Sequence, residues 1–150
     1  MNYFNSLALA AMGFSLIAAP LAAKEAKGFT IPKGTLVLLC DLAVPEANGT
    51  TPPKLLVMTD KAGKITAYDG LIAAHDLAPL PVTVMTDNDR RTTYGWTIPG
   101  HNDDLNQYAN ATKMRLTVQK ADLSALLVVT PVGYRTESAR GNCERGVVNK

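Results

Sequence analysis

Thr112-Lys113-Met114-Arg115-Leu116-Thr117-Val118-Gln119 decides the fold class. Met114, Leu116 and Val118 alternate with Lys113, Arg115, Thr117 and Gln119. That is the period of two required of a β-strand with one buried and one wet face. Towards the N-terminus, Thr92-Thr93-Tyr94-Gly95-Trp96-Thr97-Ile98 and Val82-Thr83-Val84-Met85-Thr86 form a hairpin across Asp87-Asn88-Asp89-Arg90, with Tyr94, Trp96 and Ile98 on one core-facing parity. A second hairpin joins Lys54–Thr59 to Lys64–Tyr68 across Asp60-Lys61-Ala62-Gly63, where Gly63 is free to take a positive φ. Further back, Leu36, Leu38, Cys40 and Leu42 alternate along Leu36–Leu42 and should share the core. Towards the C-terminus, Lys120–Leu123 turns into Ala125–Thr130, and the last strand runs from Arg135 to Cys143 with Ala139, Gly141 and Cys143 in phase.

No stretch carries a sustained 3.6-residue apolar stripe apart from the first 23 residues and a short turn at Leu71–Leu77, bounded by Pro79 and Pro81. About eight short strands separated by turn signals indicate an all-β domain, either a small antiparallel barrel or an open β-sandwich. The barrel is favoured because closure removes exposed strand edges. It would also bring the first and last strands together, Cys40 beside Cys143. Val44–Pro53, Asp87–Arg90 and 99–110 read as the main loops, by their Pro, Gly, Asn and Asp content.

The first charged residue along the chain is Lys24. Residues 6–23 are almost wholly apolar and end in Leu21-Ala22-Ala23, the layout of a secretory signal peptide cut after Ala23, although no Lys or Arg precedes the apolar run. The expected organisation is a signal peptide at 1–23, a short tail at 24–33 and one domain at 34–146. The mature chain then carries no membrane span and resides in the periplasm or outside the cell. Export places both cysteines in an oxidising compartment, and with two cysteines one intramolecular pairing exists: Cys40 with Cys143. A formal net charge of +2, with 19% charged residues of mixed sign, argues against nucleic acid as a partner.

Chemistry is hard to find. Ser124 and Ser138 sit in no Gly-x-Ser-x-Gly elbow. His75-Asp76 and His101-Asn102-Asp103-Asp104 each place a histidine beside acid, but with no ligand spacing to either cysteine, so no catalytic, metal or cofactor site is assigned. Asp87-Asn88-Asp89 opens like a calcium loop, yet Arg90 and Arg91 stand where a hard cation needs oxygen, and an Asx turn accounts for it better. Arg135, Arg140 and Arg145 interleave with Glu137 and Glu144 and read as a mixed solvated face. Tyr94 and Trp96 are the candidates for lining a ligand pocket.

Cys40 on an early strand, Trp96 on a middle one, and a closing Gly133-Tyr134 with Ala139-Arg140-Gly141-Asn142-Cys143 resemble small secreted bacterial β-barrel proteins of the c-type lysozyme inhibitor shape. The resemblance implies a disulfide-clasped barrel over roughly residues 35 to 144. The inhibitors' Ser-Gly-x-x-Tyr loop has no counterpart, since Glu137-Ser138-Ala139-Arg140-Gly141 holds Ser and Gly in another arrangement, so no inhibitory residue is carried over. The leading expectation is a non-enzymatic binding module for an envelope protein or a small apolar ligand, without cofactor. An envelope-associated hydrolase using His101, Asp103 or Asp104, or an inhibitor of a cell-wall hydrolase, is the alternative.

Overall fold

A computed structural model describes residues 29–102, 106 and 108–149. The signal-peptide reading of residues 1–23 lies outside the described residues. The chain forms β1 (Leu36–Ala43), β2 (Lys54–Thr59), β3 (Ile65–Asp69), α1 (Gly70–Ala74), β4 (Leu80–Pro81), β5 (Thr83–Asp87), β6 (Arg91–Asn102), β7 (Tyr108–Gln119), β8 (Ser124–Pro131) and β9 (Glu137–Val147). All neighbouring strands are antiparallel in one sheet of order β4-β3-β2-β1-β9-β8-β7-β6-β5. The sheet curls into a nearly closed barrel.

The first and last long strands pair, but in the middle of the sheet order rather than at its seam. Cys40 faces Cys143 in that ladder and is bonded to it, with the Cα atoms 3.9 Å apart. The strands come close beside the bond because residue 141 is glycine. A Cβ there would overlap the carbonyl oxygen of Asp41 and stand 2.8 Å from the Cα of Leu42. The seam falls instead between β4 and β5, the two ends of the sheet, which are joined by the single residue Val82. Its N–H donates to the carbonyl of Ile65 at 3.0 Å, so the chain itself bridges the gap.

The inward parity of each strand fills the barrel. Leu38, Cys40 and Leu42, Trp96 and Ile98, Met114, Leu116 and Val118, Leu127 and Val129, and Ala139 and Cys143 belong to one buried cluster. Small barrels close over side chains in this way, and what remains at the centre is packing rather than a pore. Leu36 departs from expectation. It shares the parity of Leu38 but is 56% exposed, because it begins its strand at the open end of the barrel.

Two other expectations need correction. The segment 99–110 is mostly ladder, not loop: Pro99 pairs with Ala111, His101 with Ala109 and Asn102 with Tyr108. Gly100 is no breaker here, since the tyrosyl group of Tyr108 occupies the space its missing side chain leaves. A ninth strand also appears, the two-residue β4, where Leu80 and Pro81 pair with Ala67 and Thr66 at the sheet edge that tolerates proline.

The helical turn is shorter than Leu71–Leu77 but is capped at both ends. The carboxylate of Asp69 accepts from the N–H of Ile72 at 2.9 Å, and His75 is the C-cap. Beyond it, Asp76 is left-handed (φ 54°), with Asp76 N–H bonded to Ala73 and Leu77 N–H to Ile72. That is a Schellman ending with Asp where Gly is usual. The N-terminal tail docks at its near end, where Phe29 meets Tyr68 edge-on at 4.2 Å. No helix among the described residues is long and apolar enough to cross a membrane.

Candidate functional site

With the middle of the barrel packed by side chains, one hollow opens at the barrel's end and two grooves lie on the outside of the sheet. The outer parity of β6 to β9 carries Arg91, Thr93, Gly95 and Thr97, then Lys113, Arg115, Thr117 and Gln119, then Leu126 and Val128, then Ser138 and Arg140. Register aligns these rows: Arg91 with Gln119, Arg115 with Gly95 and Val128, and Arg140 with Leu126, which faces Thr117. Three arginines distant in sequence thus border one groove of about 430 Å³, with Thr93, Thr117 and Ser124 in its wall.

The edge strand β5 shapes this groove. Its ladder with β6 shifts between Val84 and Thr86, leaving Met85 as a bulged residue. The Met85 sulfur lies 2.7 Å from where a Cβ of Gly95 would be, so the thioether rests across β6 because residue 95 has no side chain. Met85 and Arg115 also line a neighbouring groove of about 850 Å³ that takes in Lys113, Thr97, Thr130 and Trp96. The two depressions therefore adjoin.

Charge in the first groove is one-sided. Among the described residues no Asp or Glu lines it. Lys54 pairs with Asp41 and Lys120 with Asp87, and among the described residues the guanidinium groups of Arg91, Arg115 and Arg140 are in no ion pair. The nearby turn carboxylate of Asp122 accepts from Ser124 N–H at 2.9 Å, which holds its pKa below the usual carboxylate range. Asp87 is likewise held low, first by its hydrogen bond to Lys120 and then by that to Thr92. The hydroxyls of Thr93 and Thr117 bond to each other at 3.1 Å across β6 and β7, and Thr93 is only 6% exposed although it faces outward. One hydroxyl proton of the pair remains to be donated elsewhere.

The sequence singled out other residues. Tyr94 and Trp96 stand in the walls of two different depressions. Trp96 is 5% exposed, borders the larger groove, and its indole N–H has no acceptor among the described residues. Tyr94 lines a separate hollow of about 400 Å³ at the end of the barrel, with Leu36, Val57, Arg145 and Val147. Burial pushes the Tyr94 phenol above its ordinary range, against the opposing pull of Arg145. The folded protein should therefore hold that proton to higher pH than the unfolded chain, whose tyrosines titrate near 10. Stability from this group is fully present below about pH 10 and is lost as pH rises through the folded value. A phenolate absorbance titration should show one tyrosine ionising late, and Tyr94→Phe should abolish that late step.

Asn88 confirms the Asx reading of its hairpin, its side-chain oxygen accepting from the N–H groups of Arg90 and Arg91 at 3.0 Å each. Asp103 and Asp104 lie outside the described residues, and of His101 only the backbone pairing is described. Glu137 is not part of a solvated face. It is 8% exposed, and its carboxylate accepts from Gly49 N–H (2.9 Å), Thr50 N–H (3.1 Å) and the Thr51 hydroxyl (2.6 Å). Beside it Asn48 donates to the Ser138 carbonyl and Arg135 to the Ala47 carbonyl, so the 44–53 loop is pinned to β9. At the same end Tyr134 donates its hydroxyl to the Tyr108 carbonyl, and Tyr108, Tyr134 and Val132 are all exposed.

Arg91, Arg115 and Arg140 could not be grouped from sequence, because only the register of β6 to β9 unites them. Alternation placed Arg115 on a wet strand face and Arg140 on a mixed solvated one, while Arg91 was read with the Asx turn before its strand. Against known proteins, the chain matches no family model, no curated protein and no solved structure.

Proposed function

We propose that the chain is exported on residues 1–23 and works in the periplasm or outside the cell as a non-enzymatic binding module. Its ligand surface is the outer groove of β6 to β9, and its ligand is anionic. The observation that carries this reading is the convergence of three arginines, unpaired among the described residues, on one groove without a carboxylate. Guanidinium groups stay charged at any physiological pH. They hold and orient an anion but do not shuttle protons, which supports binding over catalysis. The buried cluster across the middle of the barrel supports a ligand on the outer groove over an apolar molecule carried through the barrel. A protein partner at the opposite site of interest, the exposed Tyr108–Tyr134 end, is a second reading favoured by that aromatic cluster.

Arg91→Gln, Arg115→Gln and Arg140→Gln combined should abolish retention on an immobilised polyanion at moderate salt. Each single change should weaken binding about tenfold, the worth of one charge-assisted hydrogen bond of roughly 1.5 kcal/mol. The matched control is Lys33→Gln, Lys61→Gln and Lys64→Gln, which changes net charge equally away from the groove. Equal loss in both triple variants would show attraction to net charge alone and end the proposal.

A further inference from the structure

The groove's donors say more about the anion than its sign. Arg91, Arg115 and Arg140 each present a fork of N–H groups, and the Thr93–Thr117 hydroxyl pair adds a donor from a nearly buried position. A single carboxylate has two oxygens and one charge, too few to occupy this set. A phosphoryl group offers three acceptor oxygens and a charge of about −1.5 to −2. The groove's volume, about 430 Å³, is that of a small-molecule site. Among the described residues no aromatic ring lines it, so they offer no stacking surface for a base or sugar. Its continuation through Arg115 to Lys113 adds a fourth cation about 7 Å along the same strand face, two residues at strand rise.

Resting on the anion-binding reading above, we infer that this groove receives an oligophosphate: a compact ligand with two or more linked phosphoryl groups and no need of a base or sugar. One phosphoryl group sits among the three guanidinium groups and the threonine pair, and the next lies towards Lys113. Arg115, common to both grooves, bridges them.

Calorimetric titration of the whole chain tests this with four probes: inorganic tripolyphosphate, inorganic phosphate, citrate as a carboxylate of comparable charge, and phosphatidylglycerol vesicles. Tripolyphosphate should bind at least tenfold tighter than citrate or single phosphate, and weaken steeply with salt. Arg115→Lys keeps the charge but loses the fork, and should cost about tenfold. Thr117→Val, of nearly equal volume, should lower tripolyphosphate affinity several-fold while the variant still unfolds in one cooperative transition. Citrate binding as tightly as tripolyphosphate, with the same arginine dependence, would overturn the oligophosphate inference and leave the anion-binding reading standing. Binding of neither would overturn both. Binding to vesicles alone would mark the face as a membrane contact and overturn the inference.

Discussion

Replacing both Cys40 and Cys143 by alanine should lower the unfolding free energy by about 4–5 kcal/mol. The two residues are 103 apart in sequence. A bond closing so long a loop removes a large share of the unfolded chain's freedom, and the entropy model puts that share near 4.7 kcal/mol for about 100 residues. Domains of this size are commonly stable by about 5–15 kcal/mol, so a protein at the lower end would be left barely folded. The bond ties β1 to β9, and both cysteines are buried, so small thiols should reach it only when those strands part. Urea unfolding followed by Trp96 fluorescence, the only tryptophan in the chain, gives the measurement. A midpoint within about 1 kcal/mol of the parent would mean the ladder alone sets the geometry.

Glu137→Ala should come next, at about 3 kcal/mol. The carboxylate satisfies two backbone N–H groups and one hydroxyl from the 44–53 loop. Each buried donor left without an acceptor costs about 1–3 kcal/mol, and hydrogen bonds to charged groups lie at the upper end of the usual range. Partial rehydration of the loop returns part of that loss, which keeps the sum near one full donor's worth above a single bond. Hydrogen exchange at Gly49 and Thr50 should accelerate by at least tenfold in the variant. Glu137→Gln keeps the shape but presents an amide NH₂ to donors, so it should restore less than half of the stability. If Glu137→Ala left both exchange rates unchanged, the loop would be held by Asn48 and Arg135 alone.

The readable parts of the fold were those where side-chain alternation and burial agree. Met114, Leu116 and Val118 declare their strand because every second residue is polar, and the barrel follows from several such strands with one disulfide across them. The two-residue β4 carries no pattern at all. Leu80 and Pro81 are held by what β3 offers them, which no local preference encodes. The long β6–β7 hairpin was hidden by Pro99 and Gly100, turn residues by composition that sit in a ladder because Tyr108 fills the space over the glycine. Glu137 was legible but outweighed. It shares the phase of Ala139 and Cys143, and that phase buries it, yet its charge argued for solvent. The arginine groove was illegible for a different reason. Arg140 sits in sequence among Arg135 and Arg145, and only strand register places it with Arg91 and Arg115.

The neighbours of β1 fix the order in which the molecule can be completed. Gly34 and Val148 share a hydrogen bond at 2.7 Å, and Val148 returns one to Thr35, so the ends of the domain meet. A strand made early must wait with one edge bare until the final strand arrives, and no vectorial, start-to-finish assembly can seal the sheet. Pairings between distant residues form slowly in such topologies. For this chain the interval between synthesis of Leu36–Ala43 and arrival of Glu137–Val147 is when aggregation is most to be expected. A circular permutant that fuses the two meeting ends and opens the chain at Val82, between β4 and β5, would make every pair of neighbouring strands consecutive in sequence and remove that wait.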